Sequence, residues 1–209
     1  MSTDFEPRAV ELLVSRICHD LVSPVGAINN GVELIDEMGP GAGQEALTLI
    51  ADSAEAAARR LRLFRFAFGA AGGHDGLDPA QARLTVEGWF RGGRVRVDWQ
   101  ADLPAPPPRG LLKLLLIAAL LADEALPAGG TVRIVGEGAG LSLLCSGRNA
   151  GLREETRAAL AGEIAPADLS ARSILGYAAL RFGHLHAIRI VATTENTDDI
   201  RISLVPAEV

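Results

Sequence analysis

The sequence predicts an α+β protein, an N-terminal antiparallel helical hairpin followed by an α/β sandwich. Three observations carry that prediction. Apolar residues recur at steps of three and four through the first third of the chain, the period of one helical face. A glycine-rich stretch, Ala70-Ala71-Gly72-Gly73-His74-Asp75-Gly76, then marks a boundary. Beyond it, short strand-like runs bounded by Gly and Pro interleave with further helical patterns. The chain divides on this reading into a hairpin over residues 1–72 and a sandwich over residues 73–209.

In the first helix, expected from residue 7 to 38, Val10, Leu13, Ile17, Leu21, Val25, Ile28, Val32, Ile35 and Met38 form one stripe. Pro7 suits the first turn, whereas Pro24 lies well inside, where it removes a backbone hydrogen bond and is expected to kink the helix. Gly39-Pro40-Gly41-Ala42-Gly43 stops it. The second helix carries its stripe on Leu47, Ile50, Ala54, Ala57, Leu61, Phe64 and Phe68, and its many alanines permit a neighbour to approach closely. A connection of about five residues makes two such helices antiparallel. A lone hairpin leaves apolar surface open, so a homodimer closing a four-helix bundle is expected; packing on the C-terminal part of the same chain is the competing arrangement.

Residues 79–91 read as a helix and Val95-Arg96-Val97-Asp98-Trp99 as a half-buried strand. A stiff proline run over residues 104–108 leads to a buried helix at about 109–126. Strands at 131–136 and 141–145 follow, joined by Glu137-Gly138-Ala139-Gly140 as a hairpin turn rather than a phosphate cradle. Helices at 152–160 and 169–182 precede closing strands at 185–192 and 200–205. Helices on one face of a mixed or antiparallel sheet complete the sandwich. His184 and His186 share a strand face on this reading but lack a third ligand, so no metal site is expected.

Composition narrows the function. At 209 residues and 48% hydrophobic content the chain can bury a core, and its net charge of −6 argues against a nucleic-acid binder. The longest apolar stretch, residues 111–122, is interrupted by Lys113 and falls short of a membrane span. The N-terminal residues lack an export pattern, so a cytoplasmic location is expected. Cys18 and Cys145 fit a reducing compartment as free thiols. Lys113 is the single lysine, which disfavours Schiff-base or phosphate-loop chemistry.

The informative segment is Ser15-Arg16-Ile17-Cys18-His19-Asp20-Leu21-Val22-Ser23-Pro24-Val25. His19 stands two residues from both Ile17 and Leu21, which at about 100° per residue turns it away from the apolar stripe. An exposed imidazole near neutral pH is a competent nucleophile when one ring nitrogen keeps its lone pair. Asp20 can accept a hydrogen bond from the other nitrogen or assist proton transfer. Ser23, one turn on, can supply a further hydrogen bond, and Pro24 frees a carbonyl and bends the helix one turn beyond the reactive group. A bare His-Asp pair is most often a solvated surface pair. His-acid-Leu-any-any-Pro, however, arises by accident in a chain with four histidines only about once in several hundred sequences.

The segment resembles the phosphoacceptor box of sensor histidine kinases. The longer string from His19 through Pro24, Gly26, Asn29, Asn30 and Gly31 to Leu34 is closer to the ChpT-type histidine phosphotransferases of alphaproteobacteria, with Ala125-Leu126-Pro127-Ala128-Gly129-Gly130 as a weaker second match. This resemblance implies a dimeric hairpin with a degenerate kinase ATP-binding domain. It also implies relay through His19 from the receiver domain of a hybrid histidine kinase to downstream response regulators. No cofactor is expected on this chain, and Mg²⁺ is expected to arrive with the partner receiver.

Departures from the kinase pattern separate relay from kinase. The helix at 109–126 has no asparagine to hold metal-bridged phosphates. Cys145-Ser146-Gly147-Arg148-Asn149-Ala150-Gly151 lacks the aspartate of an Asp-x-Gly-x-Gly loop, and Ser173-Ile174-Leu175-Gly176-Tyr177 lacks a glycine cluster. The competing functions are an ATP-dependent kinase core with an unusual nucleotide site, and an adaptor that binds receivers without taking phosphate.

Overall fold

A computed structural model of the chain describes residues 6–38, 43–70, 77–103 and 106–207. The glycine-rich boundary at 71–76, most of the turn after Met38 and the first two residues of the proline run therefore lie outside the described residues. Helices α1 (Pro7–Met38) and α2 (Gly43–Ala67) occupy the stretches that the apolar period predicts. They run antiparallel: Gly31 of α1 lies against Ala46 and Ile50 of α2, while Asp20 lies against Arg60. A Cβ on Gly31 would stand 2.6 Å from Ile50 Cγ1, so the glycine sets how closely the helices pack there.

The C-terminal part begins with α3 (Pro79–Phe90), where Asp78 caps the N-terminus by accepting from the Gln81 amide at 2.8 Å and Pro79 takes a first-turn position. There follow β1 (Val95–Trp99), α4 (Leu111–Ala125), β2 (Gly130–Glu137), β3 (Gly140–Ser146), α5 (Glu154–Ala161), a 3-10 turn, α6 (Ile174–His186), β4 (Ile188–Thr194) and β5 (Asp199–Pro206). The sheet order is β1-β2-β3-β5-β4, with β1 parallel to β2 and the remaining pairs antiparallel. Burial alternates along β4 and β5, so one face meets the core through Ile188, Ile190, Ile200, Ile202 and Leu204. The glycine-rich segment at 136–140 does form the β2–β3 hairpin turn, with Gly138 at φ +59°.

The end of the chain corrects one expectation. α6 continues through His186, and β4 starts only at Ile188, so His184 and His186 are helical. Two residues apart on a helix they lie about 200° apart and share no face. Alternation around Leu185 suggested a strand, but Ala187, at φ +52°, closes the helix with a left-handed residue instead. The last helix likewise begins at Ile174, after a turn in which Ser173 Oγ accepts from the Ser170 amide.

Every residue of α4 is buried except Asp123 and Glu124. α4 packs on β3, β5, α3 and α6, and receives α2 on the same core through Leu63, Phe64, Phe66 and Ala67. Each leucine buried in this way contributes roughly 1.5–3 kcal/mol. Lys113 joins the two parts: its Nζ donates to the Gly69 carbonyl at 2.7 Å, just past the end of α2, and lies 4.8 Å from the Phe182 ring centre.

Candidate functional site

α1 places His19 at mid-length with its side chain 85% exposed, on the outward face that the helical period predicts. Asp20 is turned inward, and its carboxylate divides between two neighbours. Oδ1 lies 3.1 Å from His19 Nδ1, and Oδ2 accepts from Arg16 Nε at 3.2 Å. An ionised carboxylate only accepts hydrogen bonds, so this contact selects the tautomer with the proton on Nδ1. The lone pair is then on Nε2 of a side chain that is largely exposed. Ser23 is exposed and Pro24 is buried, both on the same helix.

Pro24 has a local consequence. It offers no N–H to the carbonyl four residues earlier, which belongs to Asp20. Arg60 of α2 supplies the missing donor through Nη1. Its guanidinium also lies 5.7 Å from the Trp89 ring centre, and Trp89 Nε1 donates to Asp123 Oδ2 at 3.2 Å. Burial pushes the Asp123 carboxyl above the ordinary range, and the repulsion of Asp20 adds to this; the Trp89 hydrogen bond and the charges of Arg16 and Arg60 act in the opposite direction. Beside it, Glu124 accepts from Thr156 Oγ1 and lies 4.0 Å from Arg16 Nη1. Both the carboxylate and the backbone of Asp20 are thus tied to the C-terminal part of the molecule.

Arg16, Arg60, Trp89, Asp123 and Glu124 escaped the sequence reading. Arg59 and Arg60 are both partly buried; Arg59 pairs with Glu55 at 2.6 Å and Arg60 reaches α1. The i,i+4 spacing of Arg16 and Asp20 was a legible signal. The others meet only through packing. Among the described residues no group of three metal-ligating side chains converges, and no helix is long and apolar enough to cross a membrane.

The model of the histidine phosphotransferase C-terminal domain matches residues 79–198. Protein phosphotransferase ChpT of Brucella abortus (strain 2308) is 42% identical over 128 residues, which cover 61% of this chain and 60% of that protein's length. A solved bacterial phosphotransferase superposes with a TM-score of 0.80 at 31% identity, covering 96% of this chain and 98% of the other. A C-terminal match over more than half the sequence and a structural match over nearly all of it lead to one conclusion: this chain belongs to the histidine phosphotransferase family.

Proposed function

We propose that the chain relays phosphoryl groups between aspartates of receiver domains through phosphohistidine at His19, without ATP. The observation that carries this reading is the exposed ring with Nδ1 against Asp20, which leaves Nε2 as the nitrogen with the lone pair. Nε2 attacks the phosphorus of an aspartyl phosphate, the N–P bond forms, and the acyl P–O bond breaks to release the receiver's carboxylate. Positive charge develops on the ring, where the Asp20 carboxylate stabilises it through Nδ1–H. In the second transfer an aspartate of another receiver attacks the phosphorus and the N–P bond breaks. Ser23 lies one turn on, within the surface a receiver covers, and Pro24 sets the local backbone.

The partners on this reading are the receiver domain of a hybrid histidine kinase and downstream response regulators. The receiver's acidic pocket carries the Mg²⁺ that neutralises phosphoryl charge. The residues of this chain do not suit a magnesium-nucleotide site of the kinase kind. The faces of α4 are buried and apolar, and Asp123 and Glu124 at its end are engaged by Trp89 and Thr156. A second copy of the chain completes a four-helix bundle: Val10, Val25 and Val32 of α1 and Leu47 and Leu61 of α2 stay exposed on the predicted stripes.

The test is phosphotransfer from a phosphorylated receiver to the wild type and to His19→Gln. The wild type should take up an acid-labile, alkali-stable phosphate and the variant none. An adaptor would bind the receiver equally in both and take phosphate in neither. Label on His19 from ATP alone, with no receiver present, would refute the relay and favour a kinase.

A further inference from the structure

We propose that Glu124, in the last turn of α4, is a positioning residue for the phosphoacceptor, holding through Arg16 the Asp20 carboxylate that orients His19. The inference rests on the relay reading and deepens it, because it gives the C-terminal part of the molecule a role in the chemistry at His19.

The first argument concerns an unsatisfied charge. The Glu124 side chain is only 4% exposed, and its Oε2 is the one buried side-chain oxygen or nitrogen among the described residues without a hydrogen bond. Its Oε1 faces Thr156 Oγ1, but that hydroxyl has one proton and a second acceptor, the Arg172 carbonyl at 2.9 Å. A buried carboxylate left in this condition is disfavoured unless a cation answers it. The cation paired with it is Arg16, with Nη1 at 4.0 Å from Oε2.

The second argument is the shape of that cation. A guanidinium is a rigid planar fork, so engaging one edge fixes the direction of the other. Arg16 turns Nη1 toward Glu124 and Nε toward Asp20 Oδ2, and the far oxygen of the same carboxylate meets His19 Nδ1. The order Glu124, Arg16, Asp20, His19 is therefore a chain of alternating charge that ends on the nucleophile's second nitrogen. Without its first member Arg16 can swing to solvent, since it is partly exposed, and Asp20 loses the contact that fixes its rotamer.

A third observation shows that the grip is doubled. The residue before Glu124, Asp123, reaches the same point of α1 through Trp89 and Arg60, and there the contact is to the Asp20 backbone carbonyl. One helix end thus holds Asp20 by its main chain and by its side chain. The charged groups around the ring's anchor are Arg16, Arg60, Asp123 and Glu124, and among the described residues Asp20 has no ion pair besides those to Arg16 and His19.

The experiment separates orientation from mere folding. In protein labelled with ¹⁵N at histidine, with no receiver present and at a pH where the ring is neutral, the His19 nitrogen shifts report the tautomer. The wild type should hold the proton on Nδ1; Glu124→Gln and Arg16→Gln should both move the ring toward a mixture. Transfer from a phosphorylated receiver should lose about tenfold in kcat in either variant, with KM for the receiver within about twofold. The double variant should be no worse than either single one, because both break the same chain. Arg16→Lys, which keeps the charge but not the fork, should fail to restore the tautomer.

Arg16 is partly exposed, so its variants decide the matter should Glu124→Gln fail to fold. A tautomer that does not change in Arg16→Gln, or losses that multiply in the double variant, would overturn the proposal. Transfer that survives His19→Gln would instead defeat the relay reading, and the tautomer measurement does not depend on it.

Discussion

Burial pushes the Cys145 thiol from its ordinary value of 9.0 up to about 12, whereas Cys18, beside His19, is exposed. The folded chain therefore keeps a proton on Cys145 at pH values where the unfolded chain has lost it. Stability conferred by the neutral thiol is complete below pH 9.0 and falls as pH rises toward 12. The slope attributable to this group approaches about 1.4 kcal/mol per pH unit. Urea unfolding at several alkaline pH values should show a steeper loss for the wild type than for Cys145→Ala. A thiol reagent at neutral pH should label Cys18 alone until denaturant is added. Labelling of both at equal rates in the folded protein would contradict the buried environment of β3.

At the scale of the element, the pairing of Pro24 with Arg60 makes a prediction that neither residue makes alone. Arg60 supplies the donor that proline withholds from the Asp20 carbonyl. Arg60→Ala should destabilise the protein by about 1–3 kcal/mol, the cost of leaving a carbonyl unsatisfied together with the lost contact to Trp89. In a Pro24→Ala background the new N–H can take that carbonyl, so the same Arg60→Ala substitution should cost less. Denaturation midpoints of the four proteins would measure the coupling, and equal costs in both backgrounds would show that Arg60 acts elsewhere. The sequence displays the proline and its missing hydrogen bond openly. That the replacement donor comes from the second helix, forty positions after Asp20, was invisible in it, because no local period links the two.

At the scale of the whole molecule, the hairpin divides between two environments. Its lower end is built into the core around α4 through Leu63, Phe64, Phe66 and Ala67, so packing on the same chain accounts for part of the apolar stripe. The rest stays open. A groove of about 670 Å³ runs between the helices, lined by Val10, Val14, Ile17, Leu61, Phe64 and Phe68 among others. Packing on the same chain, one of the two arrangements weighed from the sequence, thus applies to one length of the hairpin, and the dimer is the proposal for the rest. The expected outcome in solution is a dimer by sedimentation equilibrium at micromolar concentration. Leu61→Glu or Val14→Glu, each at an exposed position, should shift it to monomer without loss of helical signal. A wild type that sediments as a monomer at every concentration would defeat the bundle.

Periodicity by itself determined the two long helices, the five strands and the outward turn of His19, because those follow from the three-to-four and two-residue spacing of apolar side chains. The six-residue pattern around His19 and Pro24 also singled out the ring proposed as phosphoacceptor without reference to any contact. Only the tertiary structure decided what stands behind that ring: Arg16 turned to Glu124, Arg60 set against Asp20 and Trp89, and Asp123 raised by burial. These are encounters of charged side chains with groups far away in the chain. Their energy depends on the low-dielectric surroundings that exist only once α2, α3 and α4 have packed together, and no spacing along the chain encodes that geometry. The misplaced start of β4 has the same origin, since the left-handed residue Ala187 is held by the fold and not by its own preference.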